Sequence, residues 1–154
     1  MIQLFSVRSL KKAIGIFAVV LFVGILINPV QAHASNEEDL VALMNQSRRE
    51  AGLGEVVLDA SLTSAAETRA RECAVKFSHV RPNGEAWYTV SALTYGENLA
   101  DATNPNQSRP ENVIKAWLLS STHRANVLRS SYTSVGVAYY SDASGDTYIV
   151  CEFN

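Results

Sequence analysis

Two strand-like runs close this chain, residues 134–140 and 147–153, whereas the segments before them are patterned as helices. Ser141-Asp142-Ala143-Ser144-Gly145-Asp146 joins the two runs as a hairpin turn. Helices that come first must cover a sheet that forms last. The order therefore predicts an α+β domain in which helices flank a small antiparallel sheet.

The start of the chain lies outside that domain. Arg8, Lys11 and Lys12 precede an apolar run over 13–27, followed by Pro29 and the small-residue sites Val30-Gln31-Ala32 and Ala32-His33-Ala34. A basic start, an apolar core and an A-x-A-like end describe a secretory signal peptide. The run is shorter than the roughly 20 apolar residues of a spanning helix, so a stable transmembrane anchor is the weaker reading. Cleavage is expected after Ala34, with Ala32 as the second site, which leaves residues 35–154 as one exported domain with a real core. Losing residues 1–34 removes three basic and no acidic side chains, moving the formal charge from −2 to −5. Such an acidic domain without basic runs is a poor partner for nucleic acid or anionic membrane.

Within the domain, Leu40, Leu43, Met44 and Ala51 share a face at helical spacing, which predicts a helix over 37–51 with Asn36 as cap and Gly52 as stop. Asn45 and Arg48 are expected at its solvated edge. Asp59 caps a second helix over 60–77, in which Leu62, Ala66, Ala70, Cys73 and Phe77 form the apolar stripe and Arg69 falls mostly outside it. A short apolar helix is expected between Trp87 and Tyr95, then a turn at Gly96-Glu97-Asn98-Leu99 and a surface loop over 101–109. A further helix opens near Arg109-Pro110 and carries Val113 and Trp117, and Thr122 caps a short one through Leu128.

The domain holds two histidines, His79 and His123, each beside a break in a structured element. Their separation of 44 residues is no metal signature by itself. Cys73 and Cys151 are its two cysteines; in an oxidising compartment they would form one disulfide, the alternative being a reactive thiol six residues before His79.

Four ordered stretches sharpen this. Phe77-Ser78-His79 with Arg81-Pro82-Asn83-Gly84, Gly96-Glu97-Asn98-Leu99, Trp117 through His123-Arg124-Ala125-Asn126-Val127-Leu128, and Tyr132 with Val135-Gly136-Val137 together resemble a bacterial CAP domain. This is the SCP superfamily of cysteine-rich secretory, antigen 5 and pathogenesis-related proteins. The resemblance covers about residues 37–153 and implies an α-β-α sandwich with His79, Glu97 and His123 lining a central cleft. Many animal and plant members carry a tetrad of two His and two Glu there and bind a divalent metal, often zinc, through the histidines. The second Glu stands three residues after the helix tryptophan; here that position is Ser120, which leaves His79 and His123 with less carboxylate support for zinc or another divalent ion. The resemblance also makes Asn98, Arg124 and Asn126 structural and Trp117 a core anchor.

Three functions stay open at this point. The first is a secreted, monomeric binding module whose cleft takes a peptide, lipid, glycan or metal ion, free outside the cell or held at its envelope. The second is a hydrolase, using a metal-activated water, a His-Glu base, or Ser120 as nucleophile beside His123, although no nucleophile elbow is present. The third is a structural envelope or coat component. The absence of a hydrolase motif favours binding.

Overall fold

A computed structural model describes residues 35–154; the leader and its cleavage sites lie outside them. The first helix, α1 (Asn36–Glu50), starts one residue earlier than the sequence suggested because Ser35 is its cap. The Ser35 hydroxyl accepts from the Glu38 N–H at 3.3 Å, and the Glu38 carboxylate accepts from the Ser35 N–H at 3.1 Å. Gly52, at φ 73°, takes the left-handed conformation that ends it. After the two-residue strand β1 (Val57–Leu58), Asp59 Oδ1 accepts from the N–H groups of Ser61 and Leu62 and opens α2 (Ala60–Val75).

The rest of the chain is β2 (Gly96–Ala102), α3 (Pro110–Leu119), α4 (Ser121–Val127), β3 (Ser134–Ser141) and β4 (Thr147–Phe153). The sheet order is β1-β3-β4-β2, with β3 and β4 forming the expected hairpin across Gly145 at φ 91°. The helix α2 covers one face, packing Ala66, Ala70 and Cys73 on Leu99, Ala138 and Val150. The other face carries Val135, Val137, Ile149, Cys151 and Phe153 against Leu40 and Met44 of α1 and Trp117 of α3. The architecture is thus the α-β-α sandwich. Among the described residues no helix is long and apolar enough to cross a membrane.

Several local expectations are corrected. The sheet is mixed, because β1 runs parallel to β3. Gly96-Glu97-Asn98-Leu99 is the start of a strand paired with β4 along its whole length, not a turn. Residues 87–95 hold only a single 3₁₀ turn (Trp87–Val90), and Tyr88, Leu93 and Tyr95 are exposed. Ser120, not Thr122, occupies the cap position of α4.

Asn45 and Arg48 are buried rather than solvated. Asn45 pairs both ways with the Val56 backbone, at 2.8 and 2.9 Å, so it substitutes for a strand neighbour. Arg48 donates to the carbonyls of Gly54, Val127, Arg129 and Tyr132 at 2.7–3.0 Å. Its partners are carbonyls, and burial lowers its pKa. This side chain locks α1 to the exit of α4.

The cysteines are both free and buried, so the expected disulfide is absent. Strand parity is the reason. Val150 faces α2, and its neighbour Cys151 therefore points to the opposite face, while Cys73 stays with α2. The sheet stands between the two sulfurs. Burial pushes the Cys73 thiol up to about 11 and the Cys151 thiol well above its ordinary value, which removes the thiolate needed for a reactive cysteine.

Candidate functional site

The site forms where β2 begins. His79 comes from the loop after α2, held by the Trp87 N–H, which donates to the His79 carbonyl at 3.0 Å. His123 comes from the first turn of α4 on the other side of the sheet. Between them Gly96 carries no side chain, and none would fit: a Cβ there would lie 2.5 Å from the Tyr132 hydroxyl and 3.2 Å from Asn126 Oδ1. The resulting open cleft of about 380 Å³ has His79, Glu97, Thr122 and His123 in its lining, with Trp87 and Tyr95 among its aromatic walls.

Glu97 forms the floor, its side chain fully enclosed, and His79 Nδ1 lies 2.7 Å from Glu97 Oε1. An ionised carboxylate can only accept, so the hydrogen sits on Nδ1 and Nε2 keeps its lone pair in the neutral imidazole. Arg69 holds the same carboxylate, donating from Nε to Oε2 at 2.7 Å and from Nη2 to Oε1 at 3.3 Å. Burial alone would raise the Glu97 pKa; the hydrogen bonds from His79 and Arg69 outweigh it and hold the carboxyl below its usual range.

Arg69 is the residue that sequence reasoning missed. It is fully buried, and besides Glu97 it donates to Glu72 Oε2 and to the Ser78 carbonyl, both at 2.7 Å. It thereby fixes the helix, the loop that carries His79 and the carboxylate beneath it. Glu72 is in turn gripped by Arg81 at 2.7 Å. A signal was present: Arg69 stands three residues after Ala66 and four before Cys73, on the edge of the buried stripe.

Asn98 and Asn126 hold the other wall. Asn98 Nδ2 donates to the His123 carbonyl at 3.0 Å, and Asn126 Nδ2 donates to Asn98 Oδ1 at 2.9 Å and to the Glu97 carbonyl at 3.2 Å. Both therefore have the structural role expected, although Asn98 acts from a strand. Arg124 is exposed and makes no side-chain hydrogen bond among the described residues. Trp117 is buried and donates from Nε1 to the Leu99 carbonyl at 3.1 Å, a core anchor as expected.

Ser120 lies at the junction of α3 and α4, outside the lining of the cleft. Its Oγ is 3.2 Å from Thr122 Oγ1, and among the described residues no hydrogen bond joins it to His123. The donor set also fits a resident zinc poorly. Two imidazoles face the cleft, Glu97 is engaged by Arg69 and His79, and among the described residues no group of three or more metal-binding side chains exists.

Desolvation, then the neighbouring charge of His79, lowers the His123 pKa. His123 should accordingly titrate below the ordinary value of about 6.5 in a proton-detected NMR pH series. The sign follows from linkage. A depressed folded value contributes stability that is present above pH about 6.5 and is lost as pH falls through the folded value. A His123 midpoint at the ordinary value would show an open imidazole instead, and one above it an imidazolium paired with an anion.

Residues 41–153 match the CAP family, described as the cysteine-rich secretory protein family. YkwD of Bacillus subtilis is 33% identical over 116 residues, covering 70% of this chain but 44% of that protein, so this chain spans less than half the length of that relative. An extracellular SCP-domain protein from Bacillus anthracis superposes with a TM-score of 0.64 at 20% identity, over 77% of this chain and 39% of the other. An outer surface protein of Borrelia burgdorferi superposes with a TM-score of 0.62 at 16% identity, over 78% of this chain and 94% of its own. The two structural likenesses show the fold, and the sequence match carries the family. With the sandwich, the order of its motifs and the cleft already in place, this chain belongs to the CAP, or cysteine-rich secretory protein, family.

Proposed function

We propose that this protein is a secreted binding module whose His79–Glu97–His123 cleft captures a polar peptide or glycan without converting it. One observation carries the reading: Glu97, the carboxylate that a hydrolase would need free, is held by Arg69 and His79 on both oxygens. What is left for a ligand is a set of fixed hydrogen-bonding groups, His79 Nε2, the His123 ring and the Thr122 hydroxyl, beside the aromatic faces of Trp87 and Tyr95. Polar groups give orientation and aromatic faces give area, the composition of a recognition site. Export, by the leader over residues 1–34, would place that site outside the cell.

The test is a panel of short peptides and oligosaccharides followed by NMR, with product analysis of the same samples. Saturable shifts at His79, His123 and the Trp87 indole, lost in His123→Ala without any product formed, are expected. Turnover abolished by His79→Ala would overturn the binding reading in favour of hydrolysis. In the same samples zinc should show no tight one-to-one uptake, given two imidazole donors; tight uptake lost in the His79→Ala/His123→Ala double variant would instead establish a metal site.

A further inference from the structure

We infer that Glu152 is a positioning residue of the cleft: an enclosed carboxylic acid that stands against Glu97 as a hydrogen donor and leaves Glu97 as the ionised partner held toward His79. This goes beyond the binding reading and stands whatever the cleft captures.

The strand register creates the juxtaposition. Glu152 of β4 is the direct partner of Glu97 on β2, and residues opposite one another in a sheet have Cβ atoms about 5 Å apart on one face. Neither has water to share, since Glu152 is fully buried and Glu97 nearly so. The ionisable groups that act on Glu152 are Glu97 from β2 and Arg69 from α2; Glu72 is held on that Arg69 and His79 on that Glu97, and the neighbouring Cys151 points to the opposite face of the sheet. On its other side Glu152 faces Gly136 of β3, which offers no side chain.

Among the described residues only Arg69 acts on Glu152 as a cation, and four of its five N–H hydrogens go to Glu97, Glu72 and the Ser78 carbonyl, with no hydrogen bond to Glu152. Among the described residues Glu152 receives only the Thr94 hydroxyl on Oε2, a neutral donor, and its enclosed Oε1 has no donor. A buried anionic oxygen without a donor is costly, and a like charge beside it adds to the cost. A proton on Glu152 removes both penalties and supplies the hydrogen for Glu97. Burial, then repulsion from Glu97, accordingly pushes the Glu152 carboxyl up to about 9. Because Glu97 is thus stabilised as the anion, its Oε1 stays an acceptor for His79 Nδ1, and the imidazole keeps one orientation and one tautomer.

Difference infrared spectroscopy at pH 7 reads the proton directly. The protein should show a protonated-carboxyl C=O band that shifts on deuteration and is missing from Glu152→Gln. No such band in the wild type, or a band that survives in Glu152→Gln, overturns the inference. Exchange of the His79 Nδ1 hydrogen reads the positioning. It should quicken roughly tenfold in Glu152→Ala, the scale expected when a supporting buried hydrogen bond is lost, and be restored in Glu152→Gln, which keeps a donor. Unchanged exchange in Glu152→Ala also overturns it. Should the alanine variant fail to fold, stability against pH decides. A raised folded value gives stability that is full below the ordinary carboxylate range and lost as pH rises toward about 9. Glu152→Gln should remove that alkaline decline, and an unaltered profile would sink the idea.

Discussion

Replacing Gly136 with alanine is expected to abolish most of the folded protein. A Cβ at Gly136 would lie 2.0 Å from the Leu62 carbonyl carbon, 2.2 Å from its oxygen and 2.2 Å from the Thr63 nitrogen. All three atoms are backbone in the first turn of α2, so no side-chain rotamer can make room. Either α2 lifts off the sheet or β3 moves, and β3 is hydrogen-bonded on both sides, to β1 and β4. Ordinary overpacking of a core costs about 1–3 kcal/mol because side chains give way; here the rigid main chain must, and we expect more than about 4 kcal/mol. That is a large share of the roughly 5–15 kcal/mol by which domains are stable, and nearly all of it at the lower end. Gly54→Ala is the matched control, since a Cβ there meets nothing within 4 Å and the change should fall within about 0.5 kcal/mol. Urea unfolding of both variants measures the difference. A Gly136→Ala protein as stable as the control would mean that α2 does not rest on β3 as described.

Arg69→Met should be nearly as damaging, for an electrostatic reason. The substitution leaves the Glu97 carboxylate enclosed with no cation and frees the Ser78 carbonyl and Glu72 from their donor. Breaking one side of a buried ion pair costs about 3–5 kcal/mol, because the surviving charge keeps its desolvation penalty and loses its compensation. The double variant Arg69→Met/Glu97→Gln should recover a large part of that loss, and the cycle isolates the pair from the packing. Arg49→Ala provides the surface comparison: Arg49 pairs with Glu55 where both side chains are more than half exposed, and its loss should cost under about 1 kcal/mol. Acid unfolding carries the same information. The depressed Glu97 pKa gives stability that is present above the ordinary carboxylate value and lost as pH falls through the folded one, and Arg69→Met should erase that acid limb. Equal costs for Arg69→Met and Arg49→Ala would refute a buried pair.

These two sites also mark where the sequence was legible and where it was not. Local signals read well: Asp59 as a cap, Gly52 as a stop, Pro110 in the first turn of α3 and the closing hairpin all depend on neighbours in the chain. β2 did not, because Gly-Glu-Asn-Leu-Ala-Asp-Ala is poor in the branched and aromatic residues that favour strands. It is extended because β4 supplies a partner rich in them. Arg48 and Arg69 were read as surface charges since their partners lie far along the chain: Val127 and Tyr132 are 79 and 84 residues from Arg48, and Glu97 is 28 from Arg69. The cysteines failed on parity, as one position's shift along β4 would have turned Cys151 toward α2. His79, Glu97 and His123 did meet at one cleft, as the family resemblance implied, but Glu152 carried no motif and emerged only from strand register.

The outer edge of β2 has a consequence for behaviour in concentrated solution. A strand at the rim of a sheet normally presents unpaired carbonyls that invite a strand from another molecule. In this protein the Asn126 amide takes the Glu97 carbonyl and the Trp117 indole takes the Leu99 carbonyl. Asn126, which helps build the wall beside His123, therefore also guards against intermolecular β-pairing, with the core anchor Trp117 capping the next outward carbonyl. Reshaping that wall for a larger guest by removing Asn126 would bare part of a templating edge, so ligand range and resistance to aggregation meet at that one residue.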